Sequence, residues 1–250
     1  MMPRLLILFI SGFLSLNSNA ETVRLVTGEF APFTGQSLSN GGMISQIVRS
    51  AFAQQNMEVN IEFRPWKRGY QETLNGSALA TFPYSKNAER QEKFLYSDPI
   101  LPGEVFFFTQ ADSKLKFGDY TDIAGASLCM PLGYNLFPPV EQAVAQGILT
   151  RIEPAAMDNC YLMVKQGRAD LTIARLEIGW YQINRLLGSG HHLKTLETPI
   201  WQVSEHLIIA KDSTNSQRYL ETFNAGLQAI RTQGLIESIM SPYIGISVTP

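Results

Sequence analysis

Cysteine, histidine and an excess of one charge are all scarce in this 250-residue chain, and each scarcity removes a class of function. Lysine and arginine total 20 against 22 aspartates and glutamates, a formal net charge of −2, and the basic residues are scattered. No basic patch is offered to nucleic acid and no cationic amphipathic helix to a membrane surface, so no nucleic-acid partner is expected. Of the three histidines, His191 and His192 adjoin in a Gly/Ser stretch and His206 stands in a strand-like run. None has a ligand-type partner at helical i+3 or i+4 spacing, so neither a metal centre nor a cofactor is expected. Low-complexity tracts are absent as well, and 45% hydrophobic with 17% charged residues suits a packed core.

Long apolar runs are missing beyond the first twenty residues. There Arg4 precedes the apolar run Leu5 to Leu16, and Ser18 and Ala20 offer small residues at the −3 and −1 positions of a cleavage site. The run is short for a bilayer span, so residues 1–20 read as a secretory signal peptide, with an uncleaved N-terminal anchor as the alternative. Export to the periplasm makes the compartment oxidising. Cys129 and Cys160, the one pair, are then expected to form a disulfide, the alternative being two buried thiols.

What is present is an alternation. Strand-like "VRLVTG" (23–28), a helix carrying Ile44, Ile47, Val48, Ala51 and Phe52, strand "VNIEF", a helix opened by Pro65, and strand "ALATF" form one unit. A second unit runs from "ASLCMPLG" (126–133) through two helices to "DLTIA" (170–174). A long amphipathic helix with Tyr219, Leu220, Phe223, Leu227 and Ile230 follows, and a shorter one ends before Pro242. This pattern predicts an α/β chain with two similar lobes. Extended segments near 106–112 and 204–210 bracket the second unit and supply crossing strands for a hinge. The expected domains are lobe 1 over 21–108 and 205–250, and lobe 2 over 109–204.

The stretch "ATFPYSKNAERQEKFLYSDPI" (80–100) places Arg90 in a polar turn after an apolar run that stops at Pro83. By spacing alone Arg90 is a surface residue paired with Glu89 or Glu92. The succession "EFAPFTG", "GGMISQIVRSAF", that stretch, "GYN" and "LMVKQGRADLTIA" nevertheless resembles the family 3 solute-binding proteins, over nearly the whole mature chain. The resemblance implies a two-lobed periplasmic binding protein fold (type II), each lobe a mixed sheet flanked by helices.

It implies that Arg90 binds a ligand carboxylate, a task suited to the planar fork of a guanidinium. Phe30 and Trp66 fall on aromatic wall positions, with core or hinge packing as the alternative. Phe82, Pro83 and Tyr84 fall on the strand-end segment that meets the ligand, with bulky groups where a serine or threonine is expected. Gly133, Tyr134 and Asn135 fall on a turn before a helix, where free N–H groups favour an anion. One departure concerns the aspartate that holds the ammonium group in amino-acid receptors. Arg175 takes its place, with Glu177 two residues on. Either Glu177 or Glu29 substitutes, or the ligand has no ammonium group.

The resemblance thus implies a monomeric receptor, not an enzyme, that closes on a small polar ligand bearing a carboxylate. An amino acid or related organic acid fits. An ABC importer permease or a membrane sensor is the implied partner. The competing function is a periplasmic dehydratase- or lyase-like enzyme, with Glu177 as general acid.

Overall fold

Residues 21–188, 190 and 192–244 are described in a computed structural model of the chain; the expected signal peptide at 1–20 and His191 lie outside them. The first unit becomes β1 (Glu21–Thr27), α1 (Met43–Ala53), β2 (Met57–Phe63), α2 (Trp66–Leu74), β3 (Ala80–Tyr84), α3 (Ala88–Lys93) and β4 (Phe94–Tyr96). The long strand β5 (Leu101–Gln110) leads to β6 (Ser127–Cys129), α4 (Pro138–Ala145), β7 (Thr150–Ile152), α5 (Met157–Lys165), β8 (Leu171–Arg175), α6 (Leu176–Leu187) and β9 (Leu193–Thr195). The chain returns along β10 (Trp201–Ala210) and ends in α7 (Ser216–Thr232) and α8 (Leu235–Ile244).

The strands bond in the order β2-β1-β3-β10-β5-β8-β6-β7. Its two ends mirror each other. β1 lies parallel between β2 and β3, β6 lies parallel between β7 and β8, and β10 and β5 run antiparallel to their respective neighbours. β5 and β10 also pair with each other, from Leu101 opposite Glu205 to Val105 opposite Trp201, and so join the two halves.

Each half has its own core. In the first, the α1 residues at helical spacing, Ile44, Ile47, Val48, Ala51 and Phe52, are all buried against Phe223, Leu227 and Ile230 of α7. Full burial of each of these isoleucine, valine, leucine and phenylalanine side chains is worth roughly 1.5–3 kcal/mol. Gly226 permits that close approach, because a Cβ there would stand 1.9 Å from the Ala51 carbonyl oxygen. In the second half, Leu128, Val140, Leu171 and Ile173 pack on one side of the sheet, and Phe108, Tyr161, Val164 and Ile183 on the other.

The crossing strands pass between these cores within a few residues. Leu101 and Leu207 belong to the first core, whereas Val105 belongs to the second and Val203 packs against it. Phe106, Phe107 and Phe108 already pack in the second half. Cys129 and Cys160 form a disulfide with Cα atoms 5.3 Å apart, tying β6 to α5.

Four elements differ from expectation. β3 does not stop at Pro83 but runs to Tyr84. The polar turn after it closes into α3 because the Asn87 side chain accepts from the Arg90 N–H and caps the helix. α6 follows β8 with no glycine or proline between them, and only its spacing of Leu176, Trp180, Ile183 and Leu187 marks it. α8 continues through Pro242, giving up one backbone hydrogen bond near its end.

Candidate functional site

A cavity of about 380 Å³ opens at the strand ends of the first half, lined by Phe30, Trp66, Pro83, Tyr84, Ser85, Arg90 and Glu205. Its size lies in the range of small-molecule sites, and its walls join aromatic surface to two opposite charges. Every wall residue comes from the first half or from the crossing strand β10.

Arg90 is fixed by local chemistry. The Asn87 cap sets the start of α3, the Arg90 Nη1 donates to the Ser85 carbonyl at 3.1 Å, and its guanidinium lies 5.1 Å from the Tyr84 ring centroid. Glu89 pairs instead with Lys93 at 3.3 Å. Among the described residues no carboxylate forms an ion pair with Arg90. A half-buried guanidinium with unspent donors is suited to an incoming anion.

Trp66 opens α2 and turns its ring onto Gly28, where a Cβ would lie 2.3 Å from the indole. The Trp66 Nε1 donates to the Glu29 carbonyl at 3.3 Å, and the Trp66 and Tyr84 rings meet edge to face at 5.6 Å. Phe30 meets Phe33 in the same manner at 5.2 Å and remains 37% exposed. Phe82 lies outside the cavity, fully buried in the first core, where its carbonyl accepts from the Thr27 hydroxyl at 2.6 Å.

Gly133, Tyr134 and Asn135 stand on the second half in an exposed turn and do not line the cavity. They precede α4 by several residues, and that helix begins with Pro138 and Pro139, which bring no N–H groups to its N-terminus. Arg175 and Glu177 are also off the cavity wall. Both are buried, and the Arg175 Nε donates to Glu177 at 2.8 Å. The Arg175 Nη1 meets the Glu205 carboxylate at 3.4 Å and its Nη2 donates to the Leu101 carbonyl at 3.1 Å. The guanidinium lies 4.6 Å from the Phe33 ring centroid and against Gly103, whose Cβ would stand 2.4 Å from it. Glu177 opens onto a separate groove of about 530 Å³ beside the crossing strands.

The comparison with protein-family models gives one match. The bacterial extracellular solute-binding proteins, family 3, match residues 24–246. The chain belongs to this family. No curated protein matches its sequence.

Solved structures agree on the fold, a type II periplasmic binding protein. Substrate-binding domain 2 of Lactococcus lactis GlnP in open conformation superposes with a TM-score of 0.77 at 17% identity, covering 92% of this chain and 98% of that one. The L-cystine solute receptor of Neisseria gonorrhoeae, unliganded and open, gives 0.76 at 19% identity, covering 93% and 96%. A histidine kinase sensor domain gives 0.59 at 17% identity, covering 90% and 97%.

Two wall residues of this family 3 chain escaped the sequence reading. Ser85 supplies the small hydroxyl expected at the strand end, one residue past where β3 actually stops. Glu205 lies in β10 between Val203 and Leu207, which face different cores, and a charge inside such an apolar alternation was its one visible signal.

Proposed function

We propose that this chain is a periplasmic receptor, exported by residues 1–20, that closes its two lobes over a small polar ligand bearing a carboxylate. The observation that carries the reading is the unpaired Arg90 guanidinium on an aromatic-walled cavity at the strand ends. Phe30, Trp66, Pro83 and Tyr84 form the wall on the first lobe. Gly133, Tyr134 and Asn135 form the opposing face that arrives on closure. Arg175 and Glu177 serve the hinge, where a buried, fully bonded ion pair fixes the path of the crossing strands more than it adds net stability.

Within this reading the lobes meet inside the paired segments Leu101–Val105 and Trp201–Glu205. The first boundary then moves from 108 to about 103, because Phe106 to Phe108 pack with the second lobe. The chain acts as a monomer and passes its ligand to an ABC importer permease or presents it to a membrane sensor. The substrate-binding domain of a putative amino acid ABC transporter from Streptococcus pneumoniae and the kinase sensor domain share the fold and support both routes.

Native mass spectrometry of the purified protein tests the reading. A small acid retained by the wild type and absent from Arg90→Ala is the expected result. Equal retention by both would return Arg90 to the surface.

A further inference from the structure

A separate cavity of about 440 Å³ lies beside α1, lined by Gln36, Asn40, Gln46, Arg49, Ser50 and Phe63, and Gly41 completes its wall. It shares no residue with the cavity at Arg90. Arg49 is the one charged residue on this wall, and it is half-buried. Its Nη1 donates to the Asn40 carbonyl at 2.6 Å, and no carboxylate among the described residues pairs with the guanidinium. The charges nearby are committed elsewhere. Arg64, next to Phe63, pairs with Glu62, and the Glu29 carboxylate accepts from the Gln36 N–H at 3.0 Å. Burial, with no carboxylate to offset it, pulls the Arg49 guanidinium below its ordinary pKa.

The loop that carries Asn40 is held in an unusual shape. Asn40 takes a left-handed φ of 53°, and Gly41 and Gly42 follow at 74° and 94°. Such a run keeps its shape only where bonds fix it. The Gly35 N–H donates to the Gly41 carbonyl at 3.0 Å, the Tyr243 hydroxyl to the Ser39 carbonyl at 2.9 Å, and the Asn40 amide to the Gln46 Oε1 at 3.3 Å. A Cβ on Gly41 would stand 3.3 Å from the Phe63 ring and 3.5 Å from the Ser45 Oγ. That hydroxyl is fully buried and has no hydrogen-bond partner.

We infer that this cavity is a second binding site, for a monocarboxylate that also carries hydroxyl groups, the chemistry of an acidic sugar. Arg49 has donors left for a carboxylate. One cation balances one such group, whereas the greater charge of a phosphate calls for more. The Gln36 amide, the Gln46 Nε2 and the Ser50 hydroxyl bond no other described residue. Amides and a hydroxyl both donate and accept, as sugar hydroxyls require. Phe63 adds apolar surface for the C–H groups of the ring.

A free sugar acid and the same acid within a glycan share this chemistry, so both are offered. Amide NMR titration of wild type and Arg49→Gln with glucuronate, trigalacturonate, glucose, acetate and inorganic phosphate is read at Gly41 and Gln46, apart from Ser85 and Arg90. One of the two sugar acids should saturate the Gly41 and Gln46 shifts at a Kd about tenfold or more below those of glucose and acetate, and Arg49→Gln should erase that margin. The tighter of the two names the source. The inference is overturned if neither sugar acid saturates those shifts, if glucose, acetate or phosphate binds as tightly, or if the margin survives in Arg49→Gln. The wild-type comparison decides alone should Arg49→Gln misfold. Shifts confined to Ser85 and Arg90 overturn this site and leave the reading of the Arg90 cavity standing.

Discussion

On the first half, Arg90 is held by the Asn87 cap, the Ser85 carbonyl and the Tyr84 ring, and Trp66 is locked onto Gly28. On the second half, Leu132 and Tyr134 are 72% and 53% exposed, and no side chain of that turn lines the cavity. What is fixed there lies beneath the turn. The Cys129–Cys160 disulfide anchors its start, and the Arg151 Nη2 donates to the carbonyls of Pro131 at 2.9 Å and Tyr134 at 3.1 Å. In the receptor proposed above, the difference becomes a division of labour: a preorganised wall selects the ligand, and a firmly based, exposed face covers it.

Removing Arg90 should break the comparison most severely. Arg90→Ala withdraws a charge pair that ligand binding desolvates, and affinity should fall by about 2–5 kcal/mol, whereas Tyr134→Ala should cost no more than about tenfold. Calorimetry with the retained ligand checks both, and equal losses would dissolve the asymmetry. Removing the second half's staple comes next. Cys129→Ala with Cys160→Ala should lower unfolding free energy by about 3–4 kcal/mol, read as a shifted urea midpoint. An unshifted midpoint would mean that the turn's base is held without it.

The proposed hinge between the halves is tested by Gly103→Ala. Its Cβ would enter the buried Arg175 guanidinium, whose bonds to Glu177 and Leu101 must then yield, at roughly 1–3 kcal/mol. Thermal melts should show the loss, and the double change Gly103→Ala with Arg175→Ala should cost less than the sum of its parts.

The smallest effect is a pH dependence confined to the first half. Burial pushes the His206 imidazole below its ordinary 6.5, although its ring hydrogen-bonds the Ser97 carbonyl at 2.7 Å. A depressed folded pKa gives stability that is present above about 6.5 and is lost as pH falls through that value, since the unfolded chain takes up the proton first. Between pH 7 and 5.5 the wild type should therefore lose stability relative to His206→Gln, read as a melting-temperature difference between the two that shifts against the wild type as pH falls.

Much of this was legible in the sequence because the periodicities are strong. The α1 pattern of Ile44, Ile47, Val48, Ala51 and Phe52 gave a buried helical face, and the two strand–helix units emerged as mirrored ends of the sheet. α6 was missed because β8 passes into it at Arg175–Leu176 with no glycine, proline or side-chain cap to mark the change. The site divided in the same way. Arg90, Trp66 and Tyr84 line the wall where the family resemblance implied, whereas spacing alone made Arg90 a surface residue paired with a neighbouring glutamate. Glu205 reaches that wall only through the pairing of β10 with β5 and β3, a contact across more than a hundred residues that no local pattern announces. Arg175 matched a ligand position by count, yet Gly103 leaves room for its guanidinium to fold back onto the crossing strand.

Small-angle scattering on ligand-stripped wild type and Arg90→Ala tests the central claim most directly, because it couples the built wall to the moving cover. Adding the ligand identified by native mass spectrometry should reduce the radius of gyration of the wild type and leave Arg90→Ala unchanged. A wild type that binds this ligand with no compaction, or an Arg90→Ala variant that compacts like the wild type, would contradict the account.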